Sequence, residues 1–94
     1  MTQIVLSVSD VHRLLFVKPS SLGDIIHALP TLDAVRNHFT QARITWLVKR
    51  EWAAIVERIE GVDEIVTVGP GLRGWLRAVP PLRATGFDLA VDLQ

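Results

Sequence analysis

The 94-residue sequence predicts an α/β protein with a Rossmann-like parallel sheet of alternating strand and helix units. Two observations carry that prediction. Short apolar or β-branched runs recur at 13–18, 43–48, 64–68 and 87–93, and the stretches between them carry apolar residues at helical spacing. The links are short, so the order reads β-α-β-α-β-α-β. Right-handed crossovers assemble that order into half of a doubly wound fold.

Each element has its own signal. Residues 1–12 (MTQIVLSVSDVH) lack the basic start and continuous apolar stretch of a signal peptide, and read as a short leader before a domain spanning 13–94. Arg13 to Lys18 forms the first strand. Ile25, Ala28, Leu29, Leu32, Val35 and Phe39 then make one helical stripe. Pro30 lies inside it and has no N–H for the carbonyl of Ile26, so the helix is expected to kink or break near Leu29. Arg43 to Val48 is the second strand. Trp52, Ile55, Val56 and Ile59 predict a second helix, with Gly61 as its stop. Glu64 to Val68 is the third strand, broken by Gly69-Pro70-Gly71. Leu72, Trp75, Leu76 and Val79 give a third helix, which Pro80-Pro81 is expected to end or bend. Phe87 to Leu93 is the fourth strand. No helix follows it, so one face of the sheet is expected to be poorly covered, and the chain reads as the front of a longer protein.

Composition narrows the function classes. A hydrophobic fraction of 49% argues for a packed chain rather than a disordered one. Ten basic and ten acidic residues cancel, so the global charge points to neither nucleic acid nor membrane. There is no cysteine for a disulfide or a thiolate metal site. No apolar run reaches the length that spans a bilayer. His12 and His38 stand alone, without metal-ligand spacing. The expectation is a cytoplasmic, monomeric protein with no metal and no bound cofactor.

In parallel α/β sheets ligands bind beyond the carboxyl ends of the strands. That rim gathers Lys18–Asp24, Lys49–Glu51, Gly69–Gly71 and Asp92–Gln94. The first segment, Lys18-Pro19-Ser20-Ser21-Leu22-Gly23-Asp24, is a strand-to-helix turn, and its spacing is neither that of a dinucleotide-binding loop nor that of a P-loop. Ser20, Ser21 and Gly23 could present hydroxyls and N–H groups to an anion, or could simply cap the helix. Asp24 has two readings as well: a general base for a substrate hydroxyl, or an acid placed against the helix dipole. His27, three residues on, shares its helix face. Between Ile65 and Phe87 there is no acid, while Arg73 and Arg77 lie one turn apart with Arg83 beyond. They suit a phosphorylated or carboxylated ligand, or a solvated helix face. Trp46, Trp52 and Trp75 fall on apolar stripes and read as core.

Val17-Lys18-Pro19-Ser20-Ser21-Leu22-Gly23-Asp24-Ile25-Ile26-His27-Ala28-Leu29-Pro30 resembles the opening signature of the ADP-heptose:lipopolysaccharide heptosyltransferases, glycosyltransferase family nine. Ile44–Val48, Gly61-Val62-Asp63-Glu64-Ile65 and Phe87–Gln94 resemble later segments of the same family, in the same order. The resemblance implies a GT-B architecture of two facing Rossmann-like domains. The N-terminal domain takes the lipopolysaccharide inner-core acceptor, and the C-terminal one takes the ADP-heptose donor. Transfer is implied to be inverting and metal-independent, with Asp24 as the base. Lys18, Ser20, Ser21, Gly23, His27, Arg73, Arg77 and Gln94 are implied to contribute to substrate binding. The donor half lies outside these 94 residues, so the isolated fragment is expected to be inactive. The work would be done at the cytoplasmic face of the inner membrane, and the Arg73–Arg83 stretch hints at peripheral contact there. Two rivals stay open: a non-catalytic module binding a phosphorylated ligand, and a related transferase with another nucleotide-sugar donor.

Overall fold

A computed structural model describes residues 10–93. Four parallel strands form one sheet: β1 (Arg13–Val17), β2 (Arg43–Lys49), β3 (Glu64–Val68) and β4 (Leu89–Asp92), in the spatial order β3-β2-β1-β4. The chain steps outward from β1 to β3 and then returns past both strands to pair β4 with β1. The direction of winding therefore reverses between β1 and β4, the switch point at which such sheets open a crevice.

Alternation along the strands gives the sheet two unequal faces. Leu14 and Phe16 of β1 and Ile44, Trp46 and Val48 of β2 point to one face. There they pack with Ile25, Ala28 and Leu32 from the first helical stripe, and with Val56 from the second. Trp46 and Phe16 are completely buried, their rings tilted at 4.7 Å between centroids. Val17, Leu47 and Val68 point to the other face and meet a single helix through Trp75, Ala78 and Leu82. Val11, just ahead of β1, belongs to the first core. The rest of the expected leader, residues 1–9, lies outside the described residues, as does Gln94.

The first helix breaks where Pro30 requires it. α1 spans Leu22–His27, α2 spans Leu29–His38, and Ala28 joins them. Pro30 sits in the first turn of α2, where its missing N–H costs nothing. The second stripe forms less helix than its spacing suggested. A 3-10 turn at Arg50–Trp52 leads into a four-residue α3 (Ala53–Val56), yet Trp52, Val56 and Ile59 still pack on the core.

The third helix departs most from expectation. α4 runs from Gly71 to Thr85, so Pro80 and Pro81 do not end it. The carbonyls that lose their donors belong to Leu76 and Arg77, both exposed, where water can replace the missing N–H groups. Leu82, packed on the sheet, anchors the turn beyond the prolines. The helix ends instead at Gly86, whose left-handed φ of 73° few other residues would adopt. β4 is shorter than its sequence pattern. Asp88, just before it, accepts the N–H groups of His12 and Arg13 at 2.8 and 2.9 Å, pinning the start of β1 to the strand beside it.

Candidate active site

The loop after β1 is held from three sides. The indole N–H of Trp46 donates to the carbonyl of Lys18 at 2.9 Å, and the N–H of Lys49 donates to the carbonyl of Pro19 at 2.9 Å. The Lys18 ammonium reaches across the switch point to the carbonyl of Leu93 at 2.8 Å. Pro19 itself is buried. A loop with its backbone bound to the core strand can fix the helix that follows. Ile25 holds that helix to the core, buried beneath it.

Asp24 stands in the first turn of α1. Its Oδ2 accepts the Ser21 N–H at 3.3 Å and the Ser21 hydroxyl at 3.1 Å. The aspartate therefore takes part with Ser21 in capping α1. Oδ1 has no hydrogen-bond partner among the described residues and faces solvent. The backbone and hydroxyl bonds from Ser21, helped by the charge of Lys18, hold the carboxyl below its ordinary value. Asp24 is thus an ionised carboxylate with one oxygen committed to structure and one available.

An open cleft of about 390 Å³ lies beside it, lined by Lys18, Pro19, Ser20, Asp24, Lys49 and Trp75. A second cleft of about 450 Å³, lined by Lys49, Arg50, Glu51, Val68, Pro70 and Gly71, shares Lys49 with the first. Lys18, Ser20 and Asp24 therefore meet at one site, with Ser21 behind the carboxylate. Gly23 and His27 are exposed on α1, and His27 is near enough to Asp24 to favour its charged form slightly. Arg77 lines a separate cleft with Arg50, Thr67 and Pro81, and Arg73 is exposed on α4.

Two residues join the site that were not among the candidate site residues. Trp75, read as core, is only half-buried, packing on Val17, Leu47 and Val68 while lining the Asp24 cleft. Lys49, placed on the rim but given no role, is the last residue of β2 and bridges both clefts. Its ammonium has no hydrogen-bond or ion-pair partner among the described residues, whereas that of Lys18 is engaged at Leu93. Position at the carboxyl end of a central strand had put Lys49 on the rim, but did not tell which cleft it would line.

The Gly61-Val62-Asp63 segment has a structural job instead. Arg36 of α2 donates to the Gly61 carbonyl at 2.8 Å and pairs with the Asp63 carboxylate, which also accepts the Ile44 N–H at 2.8 Å. Partial burial works against the charge on Asp63, but the Ile44 N–H and the Arg36 guanidinium outweigh it and hold the carboxyl low.

No family model matches the chain. Its fold is that of part of a family-nine glycosyltransferase. A glycosyltransferase family 9 protein from Veillonella parvula superposes with a TM-score of 0.80 at 20% identity, over 98% of this chain and 28% of that one. In sequence the likeness is to a particular enzyme of that class. Lipopolysaccharide heptosyltransferase 1 of Salmonella typhimurium is 34% identical over 83 residues, covering 84% of this chain and 26% of the relative. The Pseudomonas aeruginosa enzyme of the same name is 31% identical over 93 residues, with 87% and 26% covered. Escherichia coli heptosyltransferase WaaC, solved with ADP, gives a TM-score of 0.69 at 29% identity over 85% of this chain and 27% of that one. The chain is related to these heptosyltransferases and spans between a quarter and three tenths of their length.

Proposed function

We propose that these residues form the acceptor side of a heptosyltransferase that moves heptose from ADP-heptose to the inner core of lipopolysaccharide, at the cytoplasmic face of the inner membrane. The observation that carries the reading is the Asp24 cleft. An ionised carboxylate with a free oxygen stands at the sheet's carboxyl rim, on a loop tied to the core, in a chain similar to heptosyltransferase 1. In this reading the donor is held by a second domain facing the rim, as in a GT-B enzyme.

The chemistry asked of Asp24 is modest. As the acceptor oxygen bonds to the anomeric carbon and the diphosphate leaves with the electrons of the C–O bond, the acceptor O–H becomes strongly acidic. A carboxylate of low pKa can then take its proton, provided that one oxygen is free and aimed at the cleft. Inversion follows from attack opposite the departing ADP. The free ammonium of Lys49 suits an acidic group on the acceptor, and the half-buried Trp75 offers a flat apolar wall to a sugar ring. Lys18, by contrast, acts through the loop, fixing it to Leu93.

The test is transfer from ADP-heptose to a heptose-deficient lipopolysaccharide acceptor, using the complete reading frame that encodes this chain. Release of ADP with addition of one heptose supports the proposal. Turnover only with another nucleotide sugar would reassign the donor. Acceptor binding without any transfer would make the chain a binding module.

A further inference from the structure

Trp46 brings to the sealed core one group that packing alone does not require, an indole N–H. Ile44 and Val48, its neighbours on the same face of β2, fill their places without one. A buried N–H is costly unless it finds an acceptor, so the acceptor it finds is informative. In register Trp46 stands beside Phe16, yet its N–H reaches two residues further, to the carbonyl of Lys18 at 2.9 Å. The next carbonyl, that of the buried Pro19, accepts the N–H of Lys49, also at 2.9 Å. β2 thus holds two successive loop carbonyls beyond the last paired residue of β1. Two residues later Ser21 grips Oδ2 of Asp24 through its N–H and its hydroxyl. α1 itself is only six residues long, and Ile25 is its one buried side chain. So short a helix takes its position in large part from the loop that leads into it.

We propose that Trp46 is a positioning residue for the transfer reaction, its indole N–H setting the loop so that the free oxygen of Asp24 meets the acceptor hydroxyl. The inference rests on the reading of Asp24 as the base. The rest of the cleft is anchored separately. Trp75 packs on Val17, Leu47 and Val68, on the opposite face of the sheet. The side chain of Lys49 alternates to that same face, away from Trp46. Loss of the Trp46 bond therefore moves the carboxylate against an acceptor that is still held. Proton transfer depends steeply on such geometry, and a displacement of about 1 Å can cost on the order of a hundredfold in rate. The loss should fall on kcat rather than on the acceptor KM.

The experiment is heptosyl transfer by the complete protein, unsubstituted and as Trp46→Phe, with kcat and acceptor KM measured separately. The assay temperature is one at which circular dichroism shows every variant fully folded. Val56→Ala is the control, because it opens the same core at a completely buried side chain that lines neither cleft. Trp46→Phe is expected to lower kcat about tenfold to a hundredfold with KM held within about twofold, while Val56→Ala keeps both. Should Trp46→Phe not fold, benzothienylalanine at position 46 keeps the bicyclic ring and puts sulfur where the N–H was. The same loss of kcat is expected from it. Unchanged kcat in a folded variant would overturn the proposal. So would equal losses in Trp46→Phe and Val56→Ala, which would make the indole an ordinary part of the core. Absence of transfer by the unsubstituted protein is read before any variant; it would overturn the function assigned to Asp24, and the positioning role with it.

Discussion

The two faces of the sheet do different work. One is sealed by α1, α2 and α3 over a continuous core from Val11 to Val56 that includes the completely buried Trp46 and Phe16. Among the described residues the other is covered by α4 alone over Val17, Leu47 and Val68, with Leu15 half-buried against them and Ala90 exposed. Both faces reach the same cleft. The sealed face supplies Asp24, on a helix fixed by Ile25 and a loop fixed by Trp46. The thin face supplies Trp75, on α4. The carboxylate thus stands on the densely packed side of the sheet and the aromatic wall on the thinner one.

Substitutions on the two sides should therefore differ in size. Trp46→Ala, on the sealed face, removes a large buried ring and the bond to the Lys18 carbonyl. It is expected to cost about 3–5 kcal/mol in denaturant unfolding. Leu82→Ala, half-buried on the thin face, should cost only about 1 kcal/mol. Equal losses would mean that the thin face is as tightly packed as the other. An intermediate effect is expected at Gly74→Ala. A Cβ there would lie 2.1 Å from the Gly69 carbonyl oxygen, so the start of α4 must shift. The expected cost is about 1–3 kcal/mol, with a change in Trp75 fluorescence as the cleft wall moves.

Acid should separate the faces in another way. Asp63, on the sealed side, has its carboxyl held below the ordinary 3.8 by the Ile44 N–H and Arg36 against the opposing effect of burial. A depressed folded-state pKa gives stability that is present above 3.8 and lost as pH falls through the folded value. Asp63→Asn should therefore flatten the acid limb of a pH–stability curve. An unchanged limb would remove Asp63 from that role. The smallest effect on stability is expected at Lys49→Ala, because its ammonium has no partner among the described residues. It should leave the melting temperature unchanged and raise the acceptor KM about tenfold, the value of one charge-assisted contact.

The sheet was legible because its strands obey local rules. β3 falls at 64–68 as the β-branched run predicts, and the helical break at Ala28 follows directly from Pro30. The loop after β1 was legible for the same reason, as a turn between two clear patterns. What local rules could not supply was tertiary. Pro80 and Pro81 read as an end or a bend, yet α4 continues past them because Leu82 has a place on the sheet. Trp75 read as core because periodicity reports which side of a helix is apolar, not how much covers it. Lys18 and Lys49 look alike in sequence, and only the carbonyl of Leu93, 75 positions away from Lys18, decides which ammonium remains free. Arg73 and Arg77 share the outer part of α4, as their spacing predicts, with Arg73 exposed and Arg77 lining the cleft beside Arg50.

The central claim is that Asp24 takes the acceptor proton in addition to capping α1. Asp24→Asn separates the two roles, because an amide oxygen can still accept from Ser21 while it cannot take up a proton at neutral pH. The decisive measurement is heptosyl transfer by the complete protein with and without this substitution, alongside acceptor binding and melting temperature. The account predicts turnover reduced by about 10²–10⁴-fold, with binding and melting temperature retained. Turnover close to that of the unsubstituted protein would contradict it and leave Asp24 as a helix cap.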